Sequence, residues 1–446
     1  MKKMLSAAAL VTASALALTG CAPGAASSPS PSQPASATAQ NITMWVAGGD
    51  TPKELREYLA TTYKAKTGGT LTVEEQSWGD LVTKLTTALP DANNTPDVVE
   101  VGNTQSPTFT NVGAFSDISD LYPELGGDKL LPSFVEVGKV DGKNFTLPYY
   151  FGSRYMFYRK DVYKAAGVEV PKTLEEFNAT VKTIAQKNPN GIKDFSGFFI
   201  GGQDWRNGIS WIFANGGDLA KADGGLWTST LSDPSTIKGL TQLQEIQKAA
   251  SRAPKTAKDE SPWLYLNDSD VITDADKKVT GKTSLAAATI MAPGWAHWSI
   301  GDLKADKRVW NDGKFGVYPL PGNDGKPAPV FAGGSNIGIS AASKNQAGAR
   351  ELMKIVFSAD YQQMLGKNGL GPANSDYAAS LGTDQFAKAL IDSASNSKLT
   401  PAAPGWAGVE ASGKLEEFFA KVADGGDITA LATEYDAVLT PLLNAK

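Results

Sequence analysis

Four tryptophans of this 446-residue chain, Trp78, Trp205, Trp295 and Trp406, lie on or beside short loops containing glycine or proline. Polar side chains able to pair with hydroxyl groups occupy similar loops: Asp50, Asn103, Gln105, Gln203, Asp204, Ser335 and Asn336. Tyr149, Tyr150 and Arg154 belong to residues 147–158, which start as a polar-tipped aromatic loop and continue as a strand-like run. Rings, amides, phenols and a guanidinium together suit a ligand with apolar faces and many hydroxyls. Arg154 could donate bidentately to neighbouring hydroxyls, or hold a structural ion pair at a domain boundary. Trp227, Trp263 and Trp310 lack the loop context and read as structural.

Other chemistries find less support. His297 is the sole histidine and no G-x-S-x-G elbow is present, which disfavours a Ser-His-Asp triad and histidine-ligated metal catalysis. Thr280-Gly281-Lys282-Thr283 lacks the upstream glycine of a phosphate loop, since Asp276 stands there; Gly333-Gly334 does not meet the dinucleotide spacing. The acidic segment with Asp268, Asp270, Asp274 and Asp276 misses the glycine and terminal glutamate of a calcium loop and reads as solvated. A secreted glycoside hydrolase would need two carboxylates across a cleft. Composition leaves that open, but no carboxylate motif stands at a strand end. A net charge of −5 offers no footprint for nucleic acid. No cofactor and no metal is expected.

The elements that must position these residues follow from length and periodicity. The chain is too long for one core, and two large domains are expected. Lys2 and Lys3 precede an apolar run over residues 4–18, then Leu18-Thr19-Gly20-Cys21, which resembles a bacterial lipobox. A signal peptide over 1–20 is therefore expected, with lipidated Cys21, the sole cysteine, opening a flexible Ala/Ser/Pro tether over 21–40. The protein should be exported and lipid-anchored to the outer face of the cytoplasmic membrane. Strand, helix, strand, helix, strand then runs from Ile42 to Val101, with Thr51 and Ser77 as expected helix caps. This pattern argues for a parallel sheet with ligand-facing loops at 47–50, 76–78 and 102–105. Asp141-Gly142 reads as a hairpin turn, Thr173 with Glu176 as a capping box, and 195–200 and 285–291 as strands. Residues 147–158 and 315–321 look like crossings between domains.

Several motifs recur in a telling order: Met44-Trp45-Val46, Thr95-Pro96-Asp97-Val98-Val99, Leu147-Pro148-Tyr149, Tyr158-Arg159-Lys160-Asp161, Ala292-Pro293-Gly294-Trp295 and Gly333-Gly334-Ser335-Asn336. Together they resemble the extracellular solute-binding proteins of carbohydrate ABC importers, the maltose-binding-like family. The resemblance implies an α/β, two-lobed periplasmic-binding-protein fold of type II, with several interdomain crossings and a ligand cleft between lobes. One lobe would hold 41–152 and 320–356, the other 153–319 and 357–446. It also implies that Trp295 matches a position that stacks on sugar, and that a monomer hands an oligosaccharide to membrane permease subunits. Family members often place an acidic residue near the first hinge; Gly152 and Ser153 stand there instead. The Gly102-Asn103-Thr104-Gln105 and Gly333-Gly334-Ser335-Asn336 tips resemble actinobacterial members. Some of those take chito-oligosaccharides and others α-gluco-oligosaccharides, and for this chain an α-gluco ligand could include a cyclic form. A di- to tetrasaccharide of the α-gluco class is the first expectation, a chitobiose-like sugar the alternative.

Overall fold

Alternation of apolar residues in Ile42–Ala47 (β1) sends Ile42, Met44 and Val46 to one face of a sheet, against Leu55, Leu59 and Tyr63 of helix Lys53–Thr67 (α1). The other face, with Ala47, Val99 and Val101, is covered by Leu81 and Leu85 of helix Leu81–Ala88 (α2). β1 pairs in parallel with both Leu71–Gln76 (β2) and Val98–Gly102 (β3), the latter followed by the short helix Ser106–Asn111 (α3). Helices on both faces of a parallel sheet are what strand–helix alternation demands. A computed structural model describes residues 39–445 apart from 259–260, 269, 274–278, 284–285 and 305–306. Cys21, the signal segment and nearly all of the expected tether lie outside the described residues, as do Asp274 and Asp276. Gln40, at the end of that tether, is tied down: its carbonyl accepts from Tyr63 and its side chain from the Gly348 amide.

Fourteen-residue strand Thr146–Arg159 (β4) joins two cores. Its first half, with Leu147, Tyr149 and Tyr150, packs with β1 and α1; its second half, from Phe151 through Phe157, packs in a separate core with Phe177, Trp211 and Ile290. Helices Leu174–Lys187 (α4) and Trp205–Ala214 (α5) build that second core. Strands Thr289–Pro293 (β5) and Phe315–Tyr318 (β6) pair antiparallel with the second half of β4, while Ala332–Ile339 (β7) pairs with its first half and with β3. Gly371–Pro372 (β8) completes the eight-stranded sheet by pairing with Tyr150 and Phe151. The crossing expected at 147–158 is this strand.

Two expected boundaries move. Leu320, Ala328, Val330 and Phe331 stay in the second core, so the return crossing falls within β7, between Ala332 and Ile337, rather than near 320. Helix Ala359–Lys367 (α6) buries Tyr361 and Leu365 beside Tyr149, so the chain stays with the first core beyond 357. Local expectations fare variously. Asp141 and Gly142 both have positive φ, 49° and 75°, as a two-residue hairpin between Lys139–Val140 and Lys143–Asn144 requires. Thr173 accepts from the Glu176 amide, and the Glu176 carboxylate accepts from Lys172. Thr51 is not a cap: its hydroxyl is buried against the Tyr149 hydroxyl. Ser77 closes a turn onto Gly79, and α2 starts only at Leu81. The strands expected at 195–200 and 285–291 meet through parallel bridges Ser196 to Ala287 and Phe199 to Ile290. Asp268, part-exposed on the acidic segment, also pairs with buried Arg159 and with Lys314, each at 2.7 Å. Among the described residues, no helix is long and apolar enough to cross a membrane.

Candidate functional site

A cavity of about 410 Å³ opens where the loop after β2, the end of β3 and the start of β7 face the end of β5 and the start of α5. Trp78 forms one wall. Its ring lies against Gly48 and Gly102: a Cβ on Gly48 would sit 2.7 Å from the Trp78 Cδ1, and one on Gly102 would sit 3.2 Å from its Cζ3. Gly48 also holds φ at +54°, where side chains are rarely tolerated. The indole N–H of Trp78 donates to Asp50 Oδ2 at 2.9 Å. Asn103 and Gln105 extend this wall. Asn103 donates to the Ala332 carbonyl, while the buried Gln105 Oε1 has no hydrogen-bond partner among the described residues.

Trp295 forms the opposite wall. It stands on the 3₁₀ turn Gly294–Ser299 that follows β5 and is 57% exposed. The ring meets Trp263 edge to face, with centroids 4.8 Å apart, and the Tyr155 hydroxyl steadies the turn by donating to the Gly294 carbonyl. Between the walls lie two guanidinium groups. Arg154 donates to Asn207 at 3.0 Å, and Asn207 is itself held by Asp204, the N-cap of α5. Arg206 stacks on Trp205 and lies 3.6 Å from Glu410, on helix Trp406–Ala411 (α7). Burial pushes the Glu410 carboxyl above its ordinary range, opposed by Arg206. Thr104 donates to Glu410, and the Thr108 hydroxyl accepts from the Ala407 amide, so α7 is stitched to α3 and the loop before it.

The structure therefore brings Trp78, Asn103, Gln105, Arg154 and Trp295 to one cavity. It does not bring the other expected residues there. Trp205 and Trp406 are fully buried and pack edge to face behind it. Tyr149 is buried between Thr51 and Tyr361, and Asn336 donates inward to the Phe134 carbonyl and Thr146. Asp50, Tyr150, Asp204 and Ser335 stand one layer back, bonded to groups that shape the walls. Gln203 is half-buried, with its backbone amide on Ala257 and its side chain off the cavity. Arg206, Phe331 and Glu410 also line the cavity, and so does Trp263, which the sequence reads as structural. Trp263 follows Ser261-Pro262, the same loop signal that drew attention to Trp406. Glu410 lies four residues beyond Trp406, on the same helix face.

Residues 58–391 match the family described as bacterial extracellular solute-binding protein. The diacetylchitobiose binding protein DasA of Streptomyces coelicolor is 32% identical over 374 residues, 83% of this chain and 82% of that protein. Among solved structures, the sugar-binding protein MalE of Xanthomonas citri superposes with a TM-score of 0.75 at 20% identity, covering 91% of this chain and 97% of that one. The cyclic α-maltosyl-1,6-maltose binding protein of Arthrobacter globiformis gives 0.71 at 15% identity, covering 91% and 99%. These likenesses establish the two-lobed, maltose-binding-like α/β fold. The chain belongs to the bacterial extracellular solute-binding protein family.

Proposed function

We propose that this protein captures an oligosaccharide of two to four rings outside the cell and delivers it to the permease of an ABC importer. The observation that carries the reading is the pairing of Trp78 and Trp295, from opposite cores, across one cavity with guanidinium, amide and carboxylate groups between them. Sugar rings present C–H faces that stack on aromatic rings, and their hydroxyls need donors and acceptors once water is excluded. Closure of the two lobes on the ligand follows if the sugar touches both walls. Lipidation at Cys21 would keep the receptor beside its permease. The motif resemblance favours an α-gluco-oligosaccharide; the relationship to DasA favours a chitobiose-like sugar.

A raised-pKa carboxyl such as Glu410 is also what a glycosidase acid needs, so binding and turnover must be measured together. Lipid-free protein is titrated calorimetrically with malto-, isomalto-, cyclic gluco- and chito-oligosaccharides, and each mixture is then assayed for shorter products. Heat without product is expected for one sugar class. Product from any sugar would replace the receptor with a hydrolase, and absence of heat across the panel would reject the sugar.

A further inference from the structure

Behind Trp78 lies a chain of acids and a phenol whose protons do not suffice for all its contacts. Glu100, on β3, is fully buried. Its Oε2 accepts from the Ala47 amide at 2.9 Å, and its Oε1 lies 2.9 Å from the Tyr150 hydroxyl. That hydroxyl is also 3.2 Å from Asp50 Oδ2, the atom that holds the Trp78 indole, and Ser335 donates to it. A phenol has one proton to give. It faces two carboxyl groups, and it can serve Asp50 only if Glu100 supplies a proton of its own.

We propose that Asp50, Tyr150 and Glu100 are positioning residues for Trp78, wired so that a proton on Glu100 keeps Tyr150 donating to Asp50 and Asp50 holding the indole. With Glu100 neutral, its O–H donates to the Tyr150 oxygen, the Tyr150 O–H donates to Asp50, and every contact is satisfied. With Glu100 ionised, the shorter contact draws the Tyr150 proton inward. Asp50 then loses a donor and faces a second negative charge, and as the exposed partner it is the one free to move. Trp78 follows, because Asp50 is its hydrogen-bond partner.

Burial pushes the Glu100 carboxyl up to about 7, with the Ala47 amide and the nearby Ser335 and Tyr150 hydroxyls opposing and the Asp50 charge adding to the rise. The other titratable groups facing it are Asp50, Tyr149 and Tyr150 from β4, and Tyr361 from α6. Burial raises all three phenols, so they remain neutral where Glu100 titrates. Arg56 of α1 stands beyond them, tied to the Gly48 and Thr51 carbonyls and to Glu75. The sign follows: affinity is greatest below the Glu100 pKa and falls as pH rises through it.

The test has two arms. One measures affinity for the sugar found by the calorimetric panel between about pH 5.5 and 8.5, and it rests on the sugar-binding reading. The other follows the indole ¹H–¹⁵N resonance of Trp78 in ligand-free protein, assigned by its loss in Trp78→Phe, and does not rest on that reading. Wild type should lose about three- to tenfold in affinity over this range, the scale of one hydrogen bond, and the Trp78 resonance should shift over the same interval. Glu100→Gln, whose amide donates to Tyr150 at every pH, should hold the low-pH affinity and resonance throughout. Tyr150→Phe should respond to pH in neither arm. A Trp78 resonance that does not titrate in wild type, or one that titrates equally in Glu100→Gln, overturns the proposal. A protein that binds no sugar loses the functional reading only, and the resonance then decides.

Discussion

The two tryptophan walls are built on opposite plans. Trp78 is 36% exposed and set between two glycine backbones, with its N–H anchored to a carboxylate that is itself hydrogen-bonded behind. Trp295 projects from a single 3₁₀ turn at 57% exposure, supported by the edge of one other indole. A ring held by a slot has few rotamers to lose on binding, whereas a ring standing in solvent has more apolar surface to bury. The first wall therefore offers a fixed template, and the second offers area. A receptor whose lobes must close around a ligand can use both, since one face sets the register of the sugar and the other gains contact as the cleft shuts.

The largest effect is expected at a tryptophan that belongs to neither wall. Trp406 is 1% exposed and packs on Trp205 in the second core. Trp406→Ala should destabilise the protein by about 3–5 kcal/mol in chemical denaturation, while the folded fraction keeps most of its affinity. A loss below about 1 kcal/mol would mean that this core is far more forgiving than its packing implies. A smaller and more selective effect is expected at Gly48. Gly48→Ala would drive a methyl into the Trp78 ring at a left-handed φ, so the ring must leave its slot. Affinity should fall by about 1–2 kcal/mol, the worth of a stacking aromatic contact, measured by calorimetry on the refolded variant. Unchanged affinity would show that the slot does not set the wall.

The first half of the fold was legible because its physics is local. Alternating Ile42, Met44 and Val46, the helical spacing of Leu55, Leu59 and Tyr63, and the valines of Val98–Gly102 each name an element unaided. The crossing at β4 was legible for a related reason: a long aromatic run has to be buried along its whole length. The return crossing was not, because β6 and β7 are antiparallel partners of the same strand, and only tertiary pairing shows which half each one joins. Loop position likewise failed to separate Trp205 from Trp78. Both follow glycine- or serine-bearing turns, but Trp205 is the first residue of α5 and turns into the core, whereas Trp78 stands three positions before its helix begins. Asp50, Tyr150, Asp204 and Ser335 bond to the groups that shape the cavity walls, a placement one dimension does not show, since a polar residue next to a site and one inside it look alike there. Arg206 and Glu410 carry no such signal in the sequence, because charges on short helices ordinarily face water.

The finest contrast lies within the second wall, between the ring that faces the ligand and the ring that supports it. Trp263 and Trp295 meet edge to face with 73° between their planes, an arrangement worth about 0.5–1.5 kcal/mol beyond its buried area. If that contact orients Trp295 for stacking, the two residues are coupled in binding as well as in packing. Trp295→Ala alone should weaken binding by about 1–2 kcal/mol with little change in stability, given its exposure. Trp263→Ala should cost about 0.5–1 kcal/mol, and the double variant should lose less than the sum, by a coupling of roughly 0.5 kcal/mol. Strict additivity in calorimetric affinities would mean that Trp263 touches the sugar on its own account. The wall would then be two independent stacking faces rather than one face with a brace.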